Sequence, residues 1–336
     1  MTGFGLTGQG RHIDPEAPEA PPPPRPHWSS TMEVFADCLR PPGGGSVREG
    51  VIDDLGTYYG LTAEQVVERC LGWEAESIRE WQAAGRDSAA GLTDFYDTVQ
   101  SWSFDVLWYA YLQSAGYPYP ASVVVADTIE TMTGGTGTGG TGTGRGRMLD
   151  FGSGAGVTGQ FFSALGWDVT MADVSATLLE FARWRHKRRG LDSNFLRLPA
   201  DLPDGAFDLI TAIDVFAQIP DAAETARRLH RALRPGGLLV TNFDVRPPSP
   251  ANAWHLYKHA APLRWAVERA GFTPVRLVDG FTWFYRVQPA DSPATRMRIA
   301  LAWVRLASPP SLTLRAAVRG MLRTAARLGF TGPGIQ

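Results

Sequence analysis

The stretch MLDFGSGAG, residues 148–156, decides the fold of this chain. An apolar run ends at Asp150 and passes through Gly152 and Gly154 into a helical pattern that begins at Val157. Glycine lets the backbone turn tightly there and approach a ligand closely, because any Cβ would stand in the way. A strand, a glycine loop and a helix in this order are typical of the first unit of a nucleotide-binding α/β sheet.

Downstream of this loop, short apolar runs alternate with helical patterns. The runs expected to form further strands are WDVTMADV, NFLRL, FDLITAID, LLVTNFD, PVRLVD and FTWFYRV. Parallel neighbours need crossover connections, so the alternation predicts an α/β, Rossmann-like, mostly parallel sheet with helices on both faces. The last two runs are separated by a short turn at Gly280, which predicts an antiparallel hairpin at the C-terminal edge.

A second glycine run, residues 137–142, satisfies the G-x-G-x-x-G pattern. No strand pattern precedes it and no helical pattern follows it, so residues 134–146 are predicted to be a flexible linker. In the loop at 152–156, Val157 stands where a dinucleotide fingerprint has its third glycine, which disfavours a pyrophosphate. The next predicted strand ends at Asp173, whose carboxylate would accept both hydrogens of a ribose diol. These features predict an adenosine half-site.

Four motifs in order resemble those of the class I S-adenosylmethionine (SAM) dependent methyltransferases of the small-molecule type. MLDFGSGAG resembles their first motif and MADVS the acid at the end of the second strand. ADLPDGAFDLITAIDVFAQIPD resembles the third-strand loop and fourth strand, and LRPGGLLV the turn into the fifth. Together they cover residues 147–289, the predicted SAM-binding domain. The resemblance implies S-adenosyl-L-methionine as the cofactor and methyl transfer as the activity.

The residues that the resemblance assigns to SAM share a place at the carboxyl ends of the predicted strands. They are Asp150, Gly152 and Gly154 at the methionine part, Asp173 and Val174 at the ribose, Asp201 and Leu202 at the adenine edge, and Asp214 and Val215 after the fourth strand. An isolated aspartate more often caps a helix or is solvated in a loop. Their positions within ordered motifs favour the cofactor.

One position departs from the family pattern. Many small-molecule members carry a histidine where this chain has Gln218, and glutamine is no general base near pH 7. The candidate bases are therefore His255 and His259, which follow the fifth strand. Tyr96 is a third candidate catalytic residue, because its ring can hold a sulfonium. The alternative for each histidine is the exposed surface of the next helix. An acceptor that is already nucleophilic needs little acid–base help, because alignment supplies much of the rate.

The N-terminal part divides in two. Residues 1–30 are rich in proline and are predicted to be disordered, whereas residues 31–133 carry helical patterns and are predicted to form a cap over the substrate. Its last segment has seven aromatic residues within 17 positions, too many for one helical face. This segment either is buried between two domains or walls an aromatic pocket, and the two are compatible. The predicted substrate-binding residues are Trp102, Phe216, Gln218 and Tyr257.

Composition excludes several classes of function. A net charge of −2 gives no overall basic field, so a small-molecule acceptor is favoured over a nucleic acid. Cys38 and Cys70 have no spacing typical of a metal site and are interpreted as buried thiols in a reducing compartment. The N-terminus lacks a secretory pattern and no apolar run is long enough to span a membrane, which predicts a cytoplasmic protein without a metal.

The C-terminal extension, residues 290–336, has arginines every four positions beside apolar residues and is predicted to form a basic amphipathic helix. Docking on its own domain is favoured, while an anionic membrane or a second copy in a homodimer stays open.

The sequence thus predicts SAM-dependent methyl transfer to a small aromatic or apolar acceptor. Two alternatives stay open: SAM as the substrate of a cyclisation or elimination that releases methylthioadenosine, and a non-catalytic methyltransferase-like partner subunit. Intact glycine and acid motifs speak against the second.

Overall fold

The computed structural model describes residues 30–84, 89–116, 119–133, 145–246, 249–250 and 253–287. The predicted N-terminal tail, nearly all of the glycine-rich linker and the C-terminal extension lie outside the described residues.

Six helices precede the sheet in the described part of the chain. They are α1 (Ser30–Leu39), α2 (Val47–Tyr59), α3 (Ala63–Ala83), α4 (Ala89–Thr98), α5 (Ser101–Ser114) and α6 (Ala121–Thr133). Capping boxes start two of them: Ser46 and Glu49 at α2, and Thr62 and Gln65 at α3, exchange side-chain and backbone hydrogen bonds. Such boxes satisfy amides that the first helical turn leaves free. Thr62 is therefore the N-cap of α3.

The aromatic segment is not one continuous helix. It forms two helices, α4 and α5, which part at Val99 and Gln100. The Glu80 carboxylate of α3 accepts hydrogen bonds from the backbone N–H of Gln100 at 3.0 Å and of Ser101 at 3.4 Å. A carboxylate at a helix N-terminus satisfies free amides and favours a new start there. A side chain twenty positions upstream therefore sets the break.

Seven strands and four α-helices follow among the described residues up to 287. They are β1 (Arg147–Phe151), α7 (Val157–Ala164), β2 (Asp168–Asp173), α8 (Ala176–Arg188), β3 (Asn194–Arg197), β4 (Phe207–Ala212), α9 (Ala222–Ala232), β5 (Leu233–Thr241), α10 (Ala260–Arg269), β6 (Phe272–Val278) and β7 (Thr282–Val287). The strand order is β3-β2-β1-β4-β5-β7-β6, and β7 runs antiparallel to the other six strands. The predicted Rossmann-like sheet and its C-terminal hairpin are confirmed.

The order of the strands fixes where a ligand binds. Strand β1 pairs with β2 on one side and β4 on the other, so the chain reverses its direction of winding at β1. Ligands of open α/β sheets bind at the carboxyl ends of the strands next to such a switch point. The loops after β1, β2 and β4 therefore meet at one edge.

The N-terminal helices share a hydrophobic core with one face of the sheet. Phe35 of α1 contacts Phe161 of α7 with ring centroids 5.7 Å apart, and Tyr58 of α2 contacts Phe181 of α8 at 4.8 Å. The two thiols are buried, as predicted. Among the described residues, no helix combines the length and apolar character needed to cross a membrane. Packing against α7 and α8 brings the N-terminal helices close to the carboxyl edge.

Candidate active site

The glycine loop, residues 152–156, is fastened to the end of β2. The backbone N–H groups of Gly152 and Ser153 donate to the Ala172 carbonyl at 2.7 and 3.1 Å. The N–H of Gly154 donates to Asp173 Oδ2 at 2.8 Å. Three consecutive amides thus hold the turn between β1 and α7 against the neighbouring strand.

Gly152 and Gly154 are needed for different reasons. Both have positive φ, +74° and +53°, which side chains other than glycine rarely adopt. A Cβ on Gly152 would lie 2.4 Å from Val215 Cγ2, so this glycine permits packing against the residue after β4. A Cβ on Gly154 would meet nothing within 4 Å. The space above Gly154 is open, and it lies where the switch point places a ligand.

Asp173 ends β2 with a buried, partly satisfied carboxylate. Its Oδ1 accepts from the N–H of Ser175 at 2.9 Å, and Oδ2 accepts from Gly154. Burial raises the pKa of this carboxyl above its usual value. Each carboxylate oxygen can accept a second hydrogen bond, so Asp173 can still bind a diol. Val174 beside it is exposed.

Two polar groups under the loop are also buried. The Asp150 carboxylate accepts a hydrogen bond from Thr211 Oγ1 at 2.8 Å, and burial raises its pKa to about 7. The Ser153 hydroxyl is buried, and none of the described residues bonds to it. A buried hydroxyl without a partner favours a ligand or water at this point.

Helix α4 covers the carboxyl ends of β2 and β3. Asp97 accepts from the N–H of Ala176 at 3.2 Å and from Arg197 Nη2 at 2.7 and 2.6 Å. Tyr96 lies near enough to Asp173 for that carboxylate to contribute to its pKa, which burial raises to about 12. A tyrosine with that pKa stays protonated near pH 7, so Tyr96 offers a neutral ring for its predicted role at the sulfonium.

The aromatic cluster closes this side of the site. Its members are Trp81, Phe95, Tyr96, Trp102 and Trp254. The Trp102 indole donates to Ser77 Oγ at 2.7 Å and its ring lies 5.6 Å from that of Trp254. Helices α3, α4 and α5 are thereby joined to the segment after β5. The tertiary fold brings the rings of Tyr96 and Trp102 together, a contact that the sequence pattern alone does not predict.

The residues predicted for the adenine edge, Asp201 and Leu202, lie in the loop after β3. Asp201 is exposed and Leu202 half-buried, and with Arg228 and Arg231 of α9 they line an open surface depression. The chain turns toward α9 because Arg228 binds the Ala200 carbonyl. The residues beside Asp173 are instead Arg197, its partner in β3, and Leu198, whose N–H donates to the Asp173 carbonyl at 2.8 Å.

Asp214 follows β4 in a backbone conformation that is rare outside glycine, with φ of +58°. Its N–H donates to Asn242 Oδ1 at 2.7 Å, and its Oδ1 accepts from Asn242 Nδ2 at 2.6 Å. The asparagine after β5 thus fixes the Asp214 carboxylate at the strand ends. Burial in the surrounding protein raises its pKa, with a further contribution from Asp244.

The acceptor end, defined as Asp105, Tyr109, Asp214, Asp244 and Arg246, includes two α5 residues that the sequence did not predict. Burial raises the pKa of Asp105 to about 7; Arg246 lowers it, while Asp214 and Glu74 raise it. Burial raises the pKa of Tyr109 to about 12, to which Asp214, Asp105 and Asp244 add, while Arg246 lowers it. The one sequence signal was a carboxylate inside the aromatic run SWSFDVLWYAY.

Asp105 differs from the other carboxylates at these strand ends. Asp150, Asp173 and Asp214 accept hydrogen bonds, and Asp244 pairs with Arg246. Asp105 has no such bond within the described chain, although it is half-buried. Its carboxylate is therefore available to a ligand.

The remaining predicted residues are spread over this region. His255 is half-buried and burial, with Arg246, lowers its pKa, whereas His259 is exposed at the start of α10. Phe216 is fully buried in the core, which removes it from contact with an acceptor. Gln218 donates to the Asp214 carbonyl at 3.0 Å and the Tyr257 hydroxyl to the Pro220 carbonyl at 3.1 Å. Both support the loop after β4.

The fold and the glycine loop together define a Rossmann-like α/β domain of the class I methyltransferase type. Residues 149–239 match a family model described as "Methyltransferase domain". This match shows that residues 149–239 form a methyltransferase domain, in agreement with the class I family that the sequence resembles. The predicted family is confirmed.

Three relatives are similar to this chain. Demethylmenaquinone methyltransferase of Thermus thermophilus is 36% identical over 116 residues, 33% of this chain and 51% of the relative. Ubiquinone biosynthesis O-methyltransferase of Pseudomonas aeruginosa is 29% identical over 30% of this chain and 46% of the relative. Phosphoethanolamine N-methyltransferase 3 of Arabidopsis thaliana is 29% identical over 53% and 36%. The matches span about half or less of each relative.

Proposed function

We propose that this protein transfers a methyl group from SAM to a small organic acceptor. The observation that carries the proposal is the open glycine loop, with Gly154 bonded to Asp173 at the switch point of the sheet. The relatives named above support methylation. Because their names give different acceptors, the acceptor of this protein is inferred from the geometry of its own site.

The residues at the loop fit SAM. A Cβ on Gly154 would fill the open space, the Ser153 hydroxyl has no described partner, and Asp150 and Asp173 supply negative charge for a cation. Asp173 would hold the ribose diol, and the glycine loop with Asp150 the methionine part. When bound, SAM supplies an electrophilic methyl group on a positively charged sulfur.

The acceptor belongs at the ends of β4 and β5. Tyr109 exposes 37% of its surface there, which provides an aromatic face for the aromatic or apolar acceptor predicted from the sequence. The carboxylates of Asp105 and Asp214 add a polar end. We therefore propose an acceptor with an apolar or aromatic body and one hydroxyl or amine that loses a proton during methylation.

Asp105 is the proposed proton acceptor in this reaction. Its carboxylate has no described hydrogen-bond partner, and its pKa of about 7 suits proton transfer near neutral pH. It lies close to Asp214, which Asn242 holds in place. His255, with a pKa below its usual value, would be a neutral neighbour. Asp105 thus supplies the base that Gln218 cannot.

The function is tested with the purified chain, SAM carrying a labelled methyl group, and a panel of phenols, hydroquinones and primary amines. Methylated product and S-adenosylhomocysteine in equal amounts would support the proposal. Methylthioadenosine formed from SAM alone would overturn it in favour of a cyclisation or elimination. Failure to bind S-adenosylhomocysteine in calorimetry would overturn it in favour of a non-catalytic subunit.

The pKa of Asp150 predicts that SAM binding depends on pH. Below its pKa of about 7 the carboxyl is neutral and attracts no cation, whereas above it the charged form stabilises the bound ligand. Calorimetry should give an affinity up to about tenfold weaker near pH 6 than near pH 8. Asp150→Asn should bind more weakly and lose this dependence. An affinity that is unchanged or tighter near pH 6 contradicts the assignment.

A further inference from the structure

A buried ion network joins α2 to the end of α8. Asp54 of α2 is 1% exposed and Arg185 of α8 is fully buried. Asp54 Oδ2 accepts from Arg185 Nε at 3.0 Å and from Arg189 Nη2 at 2.7 Å. Asp54 Oδ1 accepts from Arg189 Nη1 at 3.1 Å and from Arg188 Nη1 at 3.3 Å. One carboxylate of the N-terminal helices therefore faces three guanidinium groups of the sheet domain.

Arg185 also reaches the glycine loop. Its Nη1 donates to the Ala155 carbonyl at 3.0 Å, while Nε binds Asp54. The next carbonyl, that of Gly156, lies 3.4 Å from His186 Nε2. A Cβ on Gly156 would lie 2.8 Å from Ala182 Cβ, so α8 packs directly against the loop. The guanidinium of Arg185 is thus a bridge between α2 and the loop.

Two sets of bonds fix the loop. Its amides at Gly152 and Gly154 are held by the end of β2, and its carbonyl at Ala155 is held by Arg185. A guanidinium buried this deeply needs a carboxylate beside it, because an uncompensated buried charge is strongly destabilising. Asp54 supplies that charge. The orientation of the Ala155 carbonyl consequently depends on a residue of α2.

We propose that Asp54 and Arg185 are positioning residues for the cofactor, which couple the docking of α2 to the binding of SAM. The proposal rests on the proposed function, since it takes the glycine loop to be the cofactor site. Neither residue needs to touch the cofactor. By linkage, whatever stabilises the docked α2 tightens cofactor binding, and bound cofactor stabilises the docked α2 by the same factor.

The test measures S-adenosylhomocysteine binding by calorimetry in the full chain. Asp54→Asn and Arg185→Lys are each expected to weaken affinity about 10- to 100-fold, the effect of losing a charge-assisted hydrogen bond. Lysine keeps the charge beside Asp54 but lacks the planar fork that bonds two partners at once. Asp53→Asn is the matched control, because the pair of Asp53 with Arg188 is partly exposed and lies beside the network. Its affinity should stay within about twofold of the wild type.

Hydrogen exchange gives a second readout that does not depend on stability alone. In the wild type, S-adenosylhomocysteine should slow exchange of the α2 amides, residues 47–59, as well as those of the glycine loop. In Arg185→Lys the ligand should protect the loop but no longer α2. If Arg185 had only a structural role, the variant would change hydrogen exchange equally in the ligand-free and ligand-bound protein. The ligand would then still protect α2 as well as the glycine loop.

The outcomes separate the two proposals. If the wild type does not bind S-adenosylhomocysteine, the proposed function fails. The coupling is then judged in the ligand-free chain, where Arg185→Lys must speed exchange at residues 152–157 and Asp53→Asn must not. If the wild type binds S-adenosylhomocysteine, and Asp54→Asn and Arg185→Lys bind it with the affinity of the wild type, the coupling is overturned and the proposed function stands. Should Asp54→Asn not fold, Arg185→Lys and the exchange data decide.

Discussion

Gly154→Leu is expected to abolish cofactor binding in a chain that still folds. Leucine at φ of +53° costs about 1–2 kcal/mol of backbone strain, but its Cβ meets no protein atom within 4 Å. The rest of the side chain would occupy the space proposed for the methionine part of SAM. Affinity for S-adenosylhomocysteine should fall by at least about 1000-fold, equivalent to about 4 kcal/mol. Calorimetry measures the affinity and circular dichroism the retained fold.

Gly205→Leu is the matched control for this variant. Gly205 has a similar φ of +59°, has nothing within 4 Å of its missing Cβ, and lies before β4, at the opposite edge of the sheet. It should therefore lose similar stability and keep its affinity. Gly152→Leu is less informative, because its clash with Val215 disturbs the apoprotein itself. Normal binding by Gly154→Leu would show that the open space is not the cofactor site.

Asp105→Asn is expected to lower kcat/KM for the methylated panel compound by about 10²- to 10⁴-fold, the usual contribution of a general base. The wild-type rate should fall about tenfold per pH unit below a pKa of about 7, because the protonated carboxyl accepts no proton. Asparagine does not titrate, so the variant should lose this acidic limb. S-adenosylhomocysteine affinity should stay unchanged, since Asp105 belongs to the acceptor end.

Two further variants complete this test. Glu130→Gln makes the same carboxylate-to-amide change on the exposed surface of α6 and should keep wild-type rates at every pH. His255→Gln tests the base predicted from the sequence and should leave the limb near pH 7 in place. If Asp105→Asn kept that limb and His255→Gln lost it, His255 would be the base and Asp105 would not.

Local pattern determined much of this protein from the sequence alone. The alternation of strands and helices gave the sheet, because crossover helices impose parallel pairing. The glycine loop and Asp173 were predicted because a turn of positive φ and a strand-end acid are short-range features. The C-terminal hairpin followed in the same way from two strands separated by a short turn. The family resemblance then placed a ligand on the loop.

Tertiary packing alone decided the rest. The break between α4 and α5 depends on Glu80 of α3, and Asp105 comes within electrostatic range of Asp214 because of how α5 lies relative to the strand ends. The loop that carries Asp201 turns toward α9, where Arg228 binds the Ala200 carbonyl. Asp54 and Arg185 stand 131 positions apart. The sequence pattern predicts which face of a helix or strand is buried. The contacts named here depend on how elements far apart in the chain pack together, and local periodicity does not predict that packing.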